Sequence, residues 1–130
     1  LYSNETIPEP TSLYDNGPDT TGRSLIGQSI DSLGKRYVFS TNNPDKRSDY
    51  MQYPELPFSI DGLSKKEARS KVYQKFIKDF MRCGAAIDDN IGKLLDYLEA
   101  AGLDENTIVI YTAEQGYFLG EHGRSDKRLI

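Results

Sequence analysis

At 130 residues the chain is long enough for one domain, and its formal charge of −4 arises from acidic and basic residues interspersed without a long run of either sign. With a pI near 5.0 it offers no basic stripe for nucleic acid, and no apolar stretch approaches the roughly 20 residues that a membrane-spanning helix needs. A single cysteine, Cys83, rules out an internal disulfide. The chain opens on Leu1 and stops two residues after the cationic pair Lys127 and Arg128. Both ends therefore read as cut, and the chain as a segment of something larger.

The first part of the chain, 1–63, holds all six prolines and most of the tyrosines, with no sustained period of two or of 3.6. Ile7-Pro8-Glu9-Pro10, Asn42-Asn43-Pro44-Asp45 and Tyr53-Pro54-Glu55-Leu56-Pro57 are turn or extended signals. A structureless stretch of this length belongs in a compact domain only when it is functional or packed on something else. Its aromatic content argues against disorder. It reads as an irregular excursion over the surface of a larger body.

Ser64-Lys65-Lys66-Glu67 has the form of a capping box, with a serine N-cap and a glutamate three residues on. Apolar residues then recur in steps of three and four at Tyr73, Phe76, Ile77, Phe80, Ile87, Ile91, Leu94, Leu95 and Leu98. Gly102 follows as a left-handed stop. This predicts one long helix from about 65 to 101, with Gly84 as the point where it would kink. Within it, Asp88-Asp89-Asn90 cannot converge on one ion, because consecutive helical residues point in different directions. Asp88, between Ile87 and Ile91, is expected to make a buried structural hydrogen bond. Cys83 has neither a histidine nor a helix N-terminus beside it to activate the thiol and reads as a small core residue.

After the turn Asp104-Glu105-Asn106, the run Thr107-Ile108-Val109-Ile110-Tyr111-Thr112 has the continuous apolar character of a strand buried on both faces. A helix, a short loop and a buried strand make half of an α/β unit. In open α/β sheets ligands bind beyond the carboxyl ends of the strands, and Glu114 and Gln115 lie there. A carboxylate beside an amide carbonyl suits a hard divalent cation, although the same pair also reads as a polar loop in water. His122, between Gly120 and Gly123, suits hydrogen bonding to an anionic substrate or acid catalysis. It reads equally as a loop histidine bonded to a nearby carbonyl. Lys127 and Arg128 suit an oxyanion, an ammonium and a planar fork respectively, or a solvated surface pair.

From Tyr73 onward these residues resemble the type I sulfatases of the alkaline phosphatase superfamily. The resemblance runs from Tyr73-Gln74-Lys75-Phe76 through Ala86-Ile87-Asp88-Asp89-Asn90-Ile91-Gly92 to Leu98. It continues through Gly102-Leu103 and 106–112, then Glu114-Gln115-Gly116-Tyr117-Phe118-Leu119-Gly120-Glu121-His122-Gly123 and Asp126-Lys127-Arg128. Ile7-Pro8-Glu9-Pro10 is similar to a proline-bearing segment found upstream in bacterial members. The resemblance implies a doubly wound, mostly parallel α/β sheet domain, with 64–130 as its helix, strand and metal-loop core. It implies hydrolysis of sulfate esters, often on carbohydrates, with a bound Ca²⁺ (Mg²⁺ as the alternative) and a formylglycine made from cysteine or serine. A periplasmic or secreted location is implied as well.

Carried over by position, Glu114 and Gln115 are metal ligands, and Lys127 contacts the sulfate in catalysis. His122 and Arg128 fall at positions near the substrate. Two departures accompany the match. The family's Ser-Asp is Ala113-Glu114 here, one methylene longer, and the Cys/Ser-x-Pro-x-Arg motif of the formylglycine does not occur in the chain. Two other readings stay open: a phosphodiester or phosphonate monoester hydrolase of the same superfamily, and a non-catalytic sulfatase-like protein that binds sulfated glycan.

Overall fold

The computed structural model describes residues 1–15, 30, 33, 58, 60, 62–125 and 127. A single helix, Lys65–Ala100, dominates them. Its 36 residues give a rod about 54 Å long.

Local chemistry sets both of its ends. Ser64 adopts extended backbone, and its hydroxyl accepts from the Glu67 amide at 3.4 Å while the Ser64 amide donates to Glu67 Oε2 at 2.9 Å. The Ser64 hydroxyl also donates to Glu67 Oε2, and this bond first, with the Ser64 amide bond second, holds the Glu67 carboxyl below its usual range. At the other end Gly102 takes φ +65°. Its amide donates to Glu99 O, and the Leu103 amide donates to Leu98 O, each at 2.9 Å. This pair of bonds is the Schellman arrangement, which occupies carbonyls the helix leaves unpaired. The helix runs unbroken through Gly84. Glycine costs helix propensity but keeps its amide, so the hydrogen-bond ladder survives it.

The core sits on the first third of this helix. Val72, Tyr73, Phe76 and Ile77 are buried with Leu13, Ile30, Leu33 and Phe58, and Ile7, Tyr14, Ile60, Met81 and Leu119 pack around them. Lys75 and Asp79 are buried in the same stretch. Lys75 Nζ donates to one Asp79 oxygen at 2.9 Å and Arg82 Nη1 to the other at 2.8 Å. A buried carboxylate is tolerated only with such partners. Beyond Met81 the apolar spacing continues, but no helix residue is fully buried. Ile87, Leu94, Leu95 and Tyr97 are exposed. Asp88 and Cys83 are exposed too, which corrects the expectation of a buried hydrogen bond for one and a core position for the other. Both lie on the part of the helix against which no described residue packs closely enough to bury it.

The N-terminal segment lies along the same helix and pairs with a stripe of its side chains. Gln74 accepts from the Ile7 amide at 2.9 Å and donates to the Ile7 carbonyl at 2.7 Å, so its side chain satisfies both backbone groups of one residue. Four residues along the helix Lys78 donates to Ser3 O, and four further on Arg82 Nε donates to Leu1 O. Tyr73 donates to Pro8 O at 3.3 Å. Residues 1–15 form no helix or strand, and they contribute Leu13 to the core. Most of 16–61 lies outside the described residues.

The expected strand 107–112 does not form. No β-ladder occurs among the described residues, so the doubly wound parallel sheet is not seen. Ile108 is 88 % exposed and Ile110 81 %, with Val109 and Tyr111 also exposed. A parallel strand takes its backbone bonds from neighbouring strands and its burial from helices on both faces. The described residues supply neither.

Candidate functional site

The polypeptide leaves the helix through the 3₁₀ turn Asp104–Asn106, closed by Thr107 N donating to Asp104 O at 3.3 Å and Thr107 Oγ1 donating to Leu103 O at 2.7 Å. The exposed run that follows carries Glu114 and Gln115 at its far end. Tyr117 returns the chain to the helix, its ring 5.6 Å from that of Phe80 and tilted 32°. Arg124 places its guanidinium 5.6 Å from the Phe118 ring.

Gly120 then seats the loop on the core. Its φ is +113°, and a Cβ there would lie 2.7 Å from Tyr73 Cε2 and 3.1 Å from Leu13 Cδ1. Only glycine meets both demands, the positive φ and the close approach. The short 3₁₀ turn Glu121–Gly123 closes through Gly123 N donating to Gly120 O and Gly120 N donating to Arg124 O, each at 2.9 Å. Glu121 Oε2 accepts from the Leu119 amide at 2.7 Å. Burial, with the nearby Glu121 and Glu9 carboxylates, raises the Tyr73 phenol above its ordinary value.

This turn reverses the chain and brings three of the predicted site residues together. Lys127 Nζ is ion-paired and hydrogen-bonded to Glu114 Oε2, and Gln115 Nε2 donates to the Lys127 carbonyl. With its nitrogen committed to residue 127, the Gln115 amide leaves Oε1 as an acceptor. The donor set at this point is a carboxylate and an amide oxygen on adjacent residues, both hard ligands suited to Ca²⁺ or Mg²⁺. It is a partial set, since no group of three or more His, Cys, Asp or Glu side chains comes together among the described residues.

His122 is placed elsewhere. Its backbone is left-handed, φ 52° and ψ 31°, its amide donates to Ser12 Oγ at 3.2 Å, and Nδ1 lies 3.9 Å from Asp15 Oδ2. The described contacts of His122 thus run to the N-terminal segment and not to the Glu114, Gln115 and Lys127 cluster. Ser12 and Asp15 were not singled out from sequence, because no spacing rule links them to a glycine-bounded turn some 110 residues away. Arg128 and Asp126 lie outside the described residues.

The sulfatase family model matches residues 19–129. The chain belongs to the sulfatase family. That match spans 114, 115, 122, 127 and 128, every candidate site position.

This sulfatase chain is 48 % identical over its whole length to N-acetylglucosamine-6-O-sulfatase of Bacteroides thetaiotaomicron, of which it covers 28 %. It is 31 % identical to a sulfatase of Formosa agariphila over 67 % of the chain and 18 % of the relative. A second protein of that organism, an ulvan-active sulfatase, is 32 % identical over 59 % of the chain and 14 % of the relative. The chain thus spans less than a third of the length of these curated relatives. No solved structure matches it. The family has an alkaline phosphatase-like α/β fold and generally uses a metal and a formylglycine.

Proposed function

We propose that the protein to which this chain belongs is a sulfuric ester hydrolase acting on a sulfated carbohydrate. The observation that carries the reading is the convergence of Glu114, Gln115 and Lys127 at one end of an apolar extended run, in a chain whose relatives are named as carbohydrate sulfatases. Glu114 and Gln115 act as oxygen ligands of a Ca²⁺ ion, with Mg²⁺ as the alternative occupant. An ion held there would supply positive charge for binding the ester's sulfate group. Lys127 holds a sulfate oxygen and stabilises the charge that builds on the transferring group, an effect that depends on the ammonium being in place beforehand. His122 and Arg128 bind substrate, with His122 a candidate proton donor.

No residue of this chain fits the formylglycine: Cys83 is followed by Gly84-Ala85-Ala86, and no Cys/Ser-x-Pro-x-Arg occurs. The nucleophilic step is therefore assigned to no residue here. In the intact domain, 107–112 becomes a strand of a doubly wound parallel sheet, and the exposed face of Ile87, Leu94 and Leu95 packs against that sheet. What supports this is the exposure of apolar side chains on successive residues of the run, which would otherwise face water. Residues 1–63 remain the excursion and 64–130 part of the core of one catalytic domain.

The test is a paired assay of the intact protein on an aryl sulfate and the matching phosphate monoester and diester. The reading expects the sulfate to be preferred. Preference for a phosphate ester would move the protein to another branch of the superfamily, and no hydrolysis despite Ca²⁺ binding would leave a glycan-binding role.

A further inference from the structure

The side chain paired with Glu114 is the one assigned to the sulfate. A carboxylate that ligates Ca²⁺ and a carboxylate that neutralises an ammonium present the same oxygens, so Lys127 and the metal make competing demands on Glu114. The backbone of residue 127 has a separate tether, because Gln115 Nε2 donates to its carbonyl. The ammonium can leave Glu114 on its flexible four-carbon stem while residue 127 stays beside the loop. The pair is solvent-accessible, with the Lys127 side chain 38 % exposed and that of Glu114 76 %. It is therefore weak enough for a doubly charged ion with further oxygen ligands to displace.

We propose that Lys127 and a divalent cation are alternative partners of Glu114, so that metal loading transfers the Lys127 ammonium from the carboxylate to the anionic substrate. The inference rests on the assignment of Glu114 and Gln115 as metal ligands. It adds an order to the site: the metal enters by displacing a lysine, and the lysine becomes available to sulfate only then. Arg124 is the internal comparison. It lies three residues from Lys127 in the same loop, but its guanidinium sits over the Phe118 ring.

The experiment is calorimetric titration of the intact protein with CaCl₂, comparing wild type with Lys127→Met, Arg124→Met and Gln115→Ala. Loss of a competing exposed ion pair should tighten Ca²⁺ binding in Lys127→Met by about two- to fivefold. Arg124→Met should bind as wild type does, and Gln115→Ala should bind more weakly. If Lys127→Met binds no tighter, or Arg124→Met tightens equally, the competition is wrong while a Gln115-dependent heat keeps the metal assignment. If no Ca²⁺ heat depends on Gln115, the metal assignment and the competition fail together.

Discussion

Lys127 and Glu114, thirteen residues apart, are joined as an ion pair across the reversal at Gly120. The pairing brings the end of the apolar run and the cationic segment into one site. It depends on the intervening turn, and the turn depends on how Gly120 meets Tyr73 and Leu13.

Gly120→Ala should therefore destabilise the protein by about 1–3 kcal/mol, because a strained backbone and a close ring contact coincide. Gly102→Ala isolates the first effect. Gly102 also has positive φ, at +65°, but a Cβ there meets nothing within 4 Å. It should cost about 1 kcal/mol. Urea denaturation of both variants measures the difference, and equal losses would mean that the Tyr73 contact contributes nothing.

Asp79 is the other point of concentrated dependence. Asp79→Ala leaves Lys75, 4 % exposed, without its carboxylate. Breaking a buried pair from one side costs about 3 kcal/mol. Asp89→Ala, on the exposed helix surface, should stay within about 0.5 kcal/mol of wild type. Denaturation midpoints of the two variants decide whether burial sets the difference.

The helix start carries a pH signature. Glu67 is depressed in the folded state by its bonds from Ser64. A depressed carboxyl stabilises the fold above its unfolded pKa, and that contribution is lost as pH falls through the folded value. Ser64→Ala should lower the melting temperature at pH 7, with the gap to wild type narrowing as the carboxylate protonates in acid. A gap independent of pH would show that the Glu67 charge plays no part in the cap.

These features were not equally visible in the sequence. Ser64, Glu67 and Gly102 announce the helix ends because capping is chemistry among near neighbours. The apolar spacing out to Leu98 marks a face, but it does not say what covers that face, and the fully buried helix residues all lie between Val72 and Asp79. Cys83 and Asp88 were misplaced for that reason. The run 107–112 is without a ladder among the described residues for the same reason, since a strand needs neighbours that its own residues do not specify. Glu114, Gln115 and Lys127 stand out singly as candidates, from residue type and family resemblance. Their contact does not, because it is made by the geometry of the Gly120 to Gly123 reversal. That reversal also turns His122 toward Ser12 and Asp15.

The role of Lys127 in the site is tested most directly by the kcat/KM of the intact protein on an aryl sulfate at saturating Ca²⁺, wild type against Lys127→Ala. Removing a preorganised charge from a group-transfer site lowers the rate by on the order of 10²-fold, and saturating metal removes any gain in Ca²⁺ affinity from the comparison. A loss of that size in kcat/KM is the result expected if Lys127 holds the sulfate. Equal kcat/KM in the two proteins would contradict it and leave the lysine as no more than the partner of Glu114.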